Sequence, residues 1–245
     1  MAKSESDLTR DVNLTGRRDR NEERDRAGRF QDFGAGHDAL LKSTDFFDKH
    51  SNVQQWANGG MTGDEYDAVR HYTGNGYGAM NKNLYTKDYK DMSPTMREEI
   101  QHAEKALGKF ELEKGIQVTR QADFKIFGAK AGDKMSVAQV KDYIKKNGTN
   151  GVLQNDGFLS AGANNHGAAI DGWGLVLHFK VPPSIGAGAY VNPVSMHKGA
   201  AENEWLFNSR SRFKFDLSSI KIDSSGKMHI NAIWVGRGKK LSHAK

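Results

Sequence analysis

The 245-residue chain contains no cysteine and only four prolines. Without thiols the chain can form no disulfide, no thiolate metal site and no cysteine nucleophile, while its redox compartment stays open. No apolar run approaches the roughly 20 residues that a helix needs to cross a bilayer. The first residues, "MAKSESDLTRDVNL", also lack the apolar stretch of a secretory signal peptide. We therefore expect neither a membrane segment nor a cleavable secretion signal.

Along most of the chain, neither positive nor negative charge predominates. The formal net charge is +6, which by itself could indicate a nucleic-acid surface. However, acidic and basic residues alternate almost everywhere, and part of the excess lies in the basic tail at residues 239–245. We therefore expect no nucleic-acid partner.

Composition divides the chain into an arm, one large domain and a tail. Residues 1–36 include "GRRDRNEERDRAGRF", which is dense in both signs of charge and almost free of aliphatic side chains. Such a segment cannot bury enough surface to offset its ordering entropy, so we predict a disordered arm. Residues 37–238 carry the tryptophans and most of the phenylalanines and predict a single folded domain. Residues 239–245 form the basic tail.

The spacing of hydrophobic residues in the domain changes from helical to alternating at about residue 110. Before that point the sequence predicts helices over 38–50, 52–60, 62–74, 75–86 and 93–110. Ser93 is a good N-cap, and Thr62 and Glu65 have capping-box spacing. After it, alternating segments predict strands, with one helix over "SVAQVKDYIKKNG". Helices followed by a mostly antiparallel sheet system indicate an α+β fold.

Two segments carry candidate binding residues that also have ordinary structural explanations. "YTGNGYGAMN" at residues 72–81 could line a cleft with Tyr72, Tyr77 and Asn81, or it could be a helical turn with core tyrosines. Arg120 ends an alternating strand. It could face solvent, or its planar fork of donors could bind a phosphate or carboxylate.

Two further segments carry candidate catalytic residues. Ser160 lies in "NDGFLSAG" after an apolar strand, and the local pattern does not match a nucleophile elbow. Glu202 and Glu204 flank Asn203. On a strand, period two would place both carboxylates on one face, where like charges raise the cost of ionisation. The pair is therefore either an exposed strand edge or a functional site.

The order of these features along the chain resembles a known family. Arginine on one strand, serine at the end of another, and Glu-x-Glu before a third are similar to the Arg-Ser-Glu class of mono-ADP-ribosyltransferases. This class includes bacterial exoenzyme toxins and phage-type enzymes. "YTGNGYGAMN" resembles the Tyr-Thr-Gly…Tyr…Asn signature of binary-toxin enzymes, and "FKVPPSIGAGAYV" and "WLFNSRSRFKF" resemble two of their strand motifs. The resemblance covers roughly residues 38–237.

The resemblance implies a fold and a set of roles. The fold would be N-terminal helices packed on two twisted, mainly antiparallel β-sheets with NAD held between them. Arg120 would anchor the NAD pyrophosphate, and Ser160 would hydrogen-bond the catalytic glutamate and help hold the nicotinamide ribose. Glu204 would contact the 2′-hydroxyl of that ribose, and Tyr72 and Asn81 would wall the cleft.

The resemblance also implies a reaction. ADP-ribose would be transferred from NAD to an arginine of a target protein, with nicotinamide released through an oxocarbenium-like state that a carboxylate stabilises. Glu202 would orient the incoming guanidinium or take its proton. Glutamine at this position is associated in the family with asparagine acceptors, so a glutamate favours arginine. The resemblance thus implies NAD as a substrate, and the scattered histidines predict no metal site.

The sequence departs from the family pattern in two places. The usual Ser-Thr-Ser is Ser160-Ala161-Gly162 here. The following loop, "ANNHGAAIDGWG", lacks the usual arginine. Trp173 could supply the stacking surface for NAD, and His166 or Lys180 some positive charge. These departures bear on NAD affinity more than on the type of reaction.

Two alternatives remain open from the sequence. The domain could be an NAD glycohydrolase that uses water as acceptor, or a non-enzymatic basic virion or nucleic-acid-associated protein that retains the fold. The arm at 1–36 could dock the enzyme into a virion or delivery complex. Without a signal peptide, the expected site of action is a host-cell cytoplasm, reached in a phage virion or through a specialised secretion system, or the producing cell itself.

Overall fold

The computed structural model describes residues 14–15, 51–130, 132–163, 174–197 and 203–239. The helix predicted over 38–50, the basic tail beyond residue 239 and nearly all of the arm lie outside these ranges. Leu14–Thr15 form a short strand (β1) that pairs with the edge of a longer sheet. The sheet edge offers unpaired backbone groups to such an extended segment. The disorder of the arm as a whole stays a prediction.

Five α-helices occur in the described part of the chain. They are α1 Ser51–Gln55, α2 Gly63–His71, α3 Tyr77–Thr86, α4 Pro94–Gly108 and α5 Val137–Asn147. π-helical turns at Trp56–Gly60 and Tyr72–Gly76 follow α1 and α2, and 3₁₀ turns lie at Tyr89–Asp91 and Phe124–Phe127.

The predicted helix starts are confirmed. Thr62 and Glu65 form a capping box at the start of α2, and the Ser93 hydroxyl accepts from the Met96 amide at the start of α4. Glu65 is 4% exposed and its carboxylate lies 2.6 Å from the Lys109 ammonium just after α4. Because a buried carboxylate requires such a partner, this contact ties α2 to α4.

The strands form one nine-stranded sheet and one two-stranded sheet in the described residues. In chain order the remaining strands are β2 Glu111–Leu112, β3 Ile116–Ala122, β4 Val152–Asn155, β5 Leu159–Gly162, β6 Leu175–Val181, β7 Ser184–Ile185, β8 Gly188–Tyr190, β9 Glu204–Phe207, β10 Ser211–Ile222 and β11 Met228–Arg237. The large sheet has the order β1-β4-β10-β11-β6-β3-β5-β9-β8, and β2 pairs with β7. Every pair is antiparallel except β6 with β11.

The large sheet folds back on itself between β3 and β5. In the described chain, these two strands share the single register pair Thr119↔Gly162. Beyond this junction the two halves pack face to face. The ring of Phe207 on β9 lies 5.4 Å from Phe179 on β6 and 5.0 Å from Phe213 on β10, between ring centroids. The predicted architecture of helices on two packed, mainly antiparallel layers is therefore confirmed.

The helices close one side of this sheet system. Ile100 and Leu107 of α4 are fully buried, and the indole N–H of Trp56 donates to the Ala106 carbonyl at 2.8 Å. Phe110, which follows α4, packs edge to face on Trp56 and on Trp205 of β9. The N-terminal helices are thus fixed against the strand that carries one candidate catalytic residue.

A tight turn separates β9 from β10, where the sequence predicts one long strand. Arg210 adopts a left-handed conformation with φ of 59° and forms an ion pair of 3.1 Å with Glu104 on α4. The Ser209 hydroxyl donates to the same carboxylate at 2.5 Å. Hydrogen bonds to a buried carboxylate stabilise the turn and end β9 after Phe207.

Two histidines connect β6 and β11 on the opposite sheet face from the aromatic core. His178 Nε2 lies 2.9 Å from His229 Nδ1, and the ring planes are 13° apart. His229 Nε2 lies 3.0 Å from the carboxylate of Asp223. Burial, the neighbouring His229 and Lys221 together lower the pKa of His178 from 6.5 to about 4.

This shift predicts how stability depends on pH. Between pH 6.5 and about pH 4 the unfolded chain protonates at residue 178 and the folded chain does not, so the free energy of unfolding should fall as the pH is lowered through this window. His178→Gln should flatten the curve in urea unfolding measured across the window. His102→Gln, on the surface of α4, is the matched control, and an equal flattening there would contradict the assignment.

Candidate active site

Arg120 lies at the centre of the candidate site, on the concave side of the folded sheet. It is the fifth residue of β3 and pairs with Leu177 of β6, one of the residues that line the apolar space beneath it. Its Nη1 donates to the Ser160 carbonyl on β5 at 2.5 Å. Its Nε is buried and has no hydrogen-bond partner in the described chain. Arg120 is therefore half-buried and held against β5, and it is not a freely solvated side chain.

Burial lowers the pKa of the Arg120 guanidinium, while Tyr72, Tyr85 and the Glu204 carboxylate raise it. Arginine nevertheless stays charged at neutral pH. Within the described residues no carboxylate lies at ion-pair distance from Arg120. The site thus holds a half-buried cation whose charge is balanced only at longer range, an arrangement suited to binding an anion.

Glu204 is the first residue of β9 and lies opposite Gly162 of β5. Its side chain is largely buried, with 9% of the residue exposed. Its carbonyl accepts from the Val191 amide at 3.0 Å, which fixes the backbone from the β8 side. Because glycine on β5 has no side chain, the carboxylate of Glu204 has space beside the strand end.

Tyr72 and Asn81 close the helical side of the site. The Asn81 amide donates to the Tyr72 hydroxyl at 3.1 Å, and its carbonyl accepts from the Phe158 amide just before β5 at 2.9 Å. Tyr72 packs edge to face on Phe158, with ring centroids 5.1 Å apart. This pair therefore joins α3 and the turn before it to the strand that carries Ser160.

The electrostatics of Tyr72 show that the site is compact. Burial raises the pKa of the Tyr72 hydroxyl, and the charges of Glu204 and Tyr85 raise it further, while hydrogen bonds with Asn81 and Ser160 lower it. Four side chains from separate parts of the sequence thus influence one hydroxyl. Tyr72 remains a neutral hydrogen-bonding group across the physiological pH range.

Sequence reasoning missed Tyr85 and Asn155. The Tyr85 hydroxyl donates to Asn155 Oδ1 at 3.2 Å, and burial raises the pKa of Tyr85 to about 12, against the lowering effect of Arg120. A signal for Tyr85 was available, because it lies four residues after Asn81 and hence on the same helix face. Asn155 carried no comparable signal.

The described residues bring together five of the predicted positions: Arg120, Ser160, Glu204, Tyr72 and Asn81. The predicted positions Glu202, Trp173 and His166 lie outside the described ranges. The strand begins at Glu204, and Asn203 before it has a left-handed φ of 44°. The expectation that one regular strand carries both glutamates is therefore wrong at residue 203.

Lys180 does not supply the missing positive charge of the loop. Arg120 pairs with Leu177 across the sheet, so their side chains share a face. Lys180 lies three residues beyond Leu177 on the same strand and therefore projects from the other face. The prediction that Lys180 assists the site is wrong because the strand alternation turns it away.

A family model for ADP-ribosyltransferase exoenzymes matches residues 48–235, more than half of the chain. The chain therefore belongs to the ADP-ribosyltransferase exoenzyme family, and the predicted resemblance is confirmed. Membership supports an NAD-using enzyme with toxin-like ADP-ribosyltransferase activity. A comparison with curated protein sequences gave no match.

Solved structures of bacterial toxins share the fold. Plx2a, an ADP-ribosyltransferase toxin from Paenibacillus larvae, is 24% identical, with a TM-score of 0.65 over 80% of this chain and 98% of that one. The C3 exoenzyme of Clostridium limosum is 19% identical, with a TM-score of 0.62 over 79% and 95%. BECa, an ADP-ribosylating toxin of C. perfringens solved with NADH, is 25% identical, with a TM-score of 0.60 over 75% of this chain and 46% of that one.

The described residues contain no helix long and apolar enough to cross a membrane. They also contain no group of three or more histidine, aspartate or glutamate side chains arranged to hold a metal ion.

Gly157 offers a test of how the helical side is joined to the sheet. A Cβ atom at this position would lie 2.5 Å from the Tyr85 hydroxyl and 2.7 Å from Asn81 Oδ1. Gly157→Ala should therefore displace both side chains and lower the free energy of unfolding by about 1–3 kcal/mol in urea titration.

Gly78→Ala on α3 is the matched control, because nothing lies within 4 Å of its Cβ position. It should leave stability unchanged or raise it by up to about 1 kcal/mol. Equal destabilisation by the two substitutions would contradict the close contact at Gly157.

Proposed function

We propose that the protein transfers a single ADP-ribose from NAD to an arginine of a target protein and releases nicotinamide. One observation carries the proposal: the Arg120 guanidinium, the Ser160 segment and the Glu204 carboxylate converge in one buried site. Each of these groups suits a different part of an NAD molecule.

Arg120 is the group that would hold the NAD pyrophosphate. The residue is half-buried, its buried Nε is unsatisfied by the described residues, and its Nη1 is held by the Ser160 carbonyl. A phosphate oxygen would satisfy the guanidinium and balance its charge, and the planar fork of donors matches a pyrophosphate better than an ammonium would. The guanidinium is oriented before NAD arrives, so little side-chain entropy is lost on binding.

Glu204 would stabilise the positive charge that develops on the nicotinamide ribose. As the glycosidic bond breaks, the ribose acquires oxocarbenium character, and a fixed, largely buried carboxylate interacts with it more strongly than one in water. Ser160 would hold this carboxylate in position relative to the ribose. Tyr72 and Asn81 would form the wall of the NAD cleft on the helical side.

The remaining roles rest on residues outside the described ranges. Glu202 would orient the guanidinium of the acceptor arginine and take its proton, which leaves the nucleophilic nitrogen free to bond with the ribose carbon. Trp173 would stack on NAD. NAD itself as the donor is supported by family membership and by the BECa toxin structure, which was solved with NADH.

The first test removes the charge at residue 204. Glu204→Gln keeps the shape of the side chain but cannot stabilise the developing cation, so transfer of labelled ADP-ribose to a host lysate should fall by a factor on the order of 10²–10³. Binding of NAD, followed by isothermal titration calorimetry, should change much less. Unchanged transfer would exclude Glu204 as the catalytic carboxylate. Glu113→Gln, just after β2, is the matched control.

The second test separates transfer from hydrolysis. Glu202→Ala should abolish arginine modification, while slow NAD hydrolysis persists because water needs no guanidinium-orienting carboxylate. Mass spectrometry of labelled lysate proteins identifies the modified residue type, and chromatography of free nicotinamide measures hydrolysis. A wild-type protein that hydrolyses NAD without modifying any protein would favour the glycohydrolase alternative.

The third test addresses the alternative of a non-enzymatic protein. NAD should raise the melting temperature, since a ligand at 100 times its Kd adds about 2.7 kcal/mol to the free energy of unfolding. Arg120→Met should lose most of this shift. Salt-dependent retention on DNA or RNA with no NAD-induced shift would favour the alternative. Docking of the arm at 1–36 into a virion or delivery complex stays a prediction.

A further inference from the structure

The residue between the two glutamates has an unusual backbone conformation. Asn203 has a φ of 44°, in the left-handed region that side chains other than glycine rarely adopt. This conformation is unfavourable for most L-residues, and asparagine tolerates it better than most. Asn203 is also largely buried, with 8% of the residue exposed. A neighbouring group must therefore hold it in place.

Tyr190 is that group. This residue ends the edge strand β8 and is fully buried, and its hydroxyl donates to Asn203 Oδ1 at 2.8 Å. A buried tyrosine hydroxyl needs an acceptor, and a buried asparagine carbonyl needs a donor. This buried hydrogen bond joins the end of β8 to the residue before β9, so each side chain holds the other in position.

The backbone around Asn203 is fixed from both sides as well. The Asn203 carbonyl accepts from the Ala163 amide at 2.7 Å, and the next carbonyl, that of Glu204, accepts from the Val191 amide at 3.0 Å. The first contact comes from the end of β5 and the second from the end of β8. Asn203 thus forms a corner whose backbone is hydrogen-bonded beside the ends of two strands. Glu204, which carries the candidate catalytic carboxylate, is the next residue.

A left-handed residue interrupts the alternation of a strand. In a regular strand, the residues on either side of Asn203 would be held on one face. Positive φ at residue 203 removes that constraint, so the direction of Glu204 is set by the corner and not by the chain before it. The direction of this carboxylate relative to Arg120 therefore depends on the Tyr190–Asn203 contact.

We propose that Asn203 is a positioning residue, locked by Tyr190, which fixes the direction of Glu204 in the active site. The inference rests on the proposed function, because it assigns Asn203 and Tyr190 to the reaction that Glu204 would catalyse. Neither residue contacts NAD in this proposal. Their effect on the reaction passes through Glu204.

The experiment compares three variants of the full chain: Tyr190→Phe, Asn203→Gly and the double variant. Asn203→Gly keeps the left-handed backbone accessible but loses the amide, and Tyr190→Phe loses only the hydroxyl. We expect each single variant to lower kcat for NAD cleavage about 10- to 100-fold, since a small misplacement of a catalytic group has an effect of that order. The KM for NAD should stay within about twofold, because Arg120 and the cleft wall are intact.

The double variant supplies the sharpest criterion. Because both single changes break the same hydrogen bond, the double variant should be no slower than the slower single variant. Tyr89→Phe is the matched control: its hydroxyl donates to Glu104, in a cluster outside the cleft, so kcat should be unchanged. Multiplicative losses in the double variant, wild-type kcat in Asn203→Gly, or an equal loss in Tyr89→Phe would overturn the proposal.

A second measurement does not depend on activity. Hydrogen exchange of the Ala163 amide, which donates to Asn203, should accelerate in Tyr190→Phe and Asn203→Gly and stay unchanged in Tyr89→Phe. If the wild-type protein fails to cleave NAD, the proposed function is overturned, and faster exchange at Ala163 would still support the corner. Unchanged exchange at Ala163 in both variants would overturn the positioning role whatever the activity.

Discussion

The architecture of the site depends on a half-buried arginine, Arg120, that has no nearby counter-ion in the described part of the chain. Removing a guanidinium from water is costly unless hydrogen bonds and charges compensate. Here the compensation comes from the Ser160 carbonyl, from Glu204 at longer range and from two tyrosines. Because these groups come from β5, β9 and the helical layer, the burial of Arg120 requires all three parts to be in place together.

The folded sheet makes this convergence possible. Aromatic packing of Phe207 against Phe179 and Phe213 holds the two halves face to face, and the Trp56–Phe110–Trp205 contacts fix the helices to β9. The apolar core therefore fixes the positions of the strands and helices that carry the polar groups of the site. Tyr72 and Asn81 then join the helical layer to the strand with Ser160 through hydrogen bonds that are shielded from water, where such bonds are stronger.

The sequence predicted the parts of the structure that local patterns determine. The α+β fold followed from the capping box at Thr62, the N-cap at Ser93 and the change of hydrophobic spacing near residue 110. The order of motifs identified five residues that share one site. Other features depend on tertiary contacts. The left-handed corner at Asn203 needs Tyr190 from another strand, and the turn before Arg210 needs Glu104 from a helix. The prediction for Lys180 was wrong because the direction of its side chain depends on the register between β6 and β3.

The junction between the two halves of the sheet lies directly beneath the candidate site. Gly162 pairs with Thr119 on one side and with Glu204 on the other, and Thr119 precedes Arg120 in the chain. Antiparallel strands elsewhere in the sheet share up to eight register pairs, so within the described residues this seam has the fewest. The hydrogen bond from Arg120 to the Ser160 carbonyl crosses the same seam. The separation of the arginine strand from the glutamate strand is therefore set more by side-chain contacts than by a ladder of backbone hydrogen bonds.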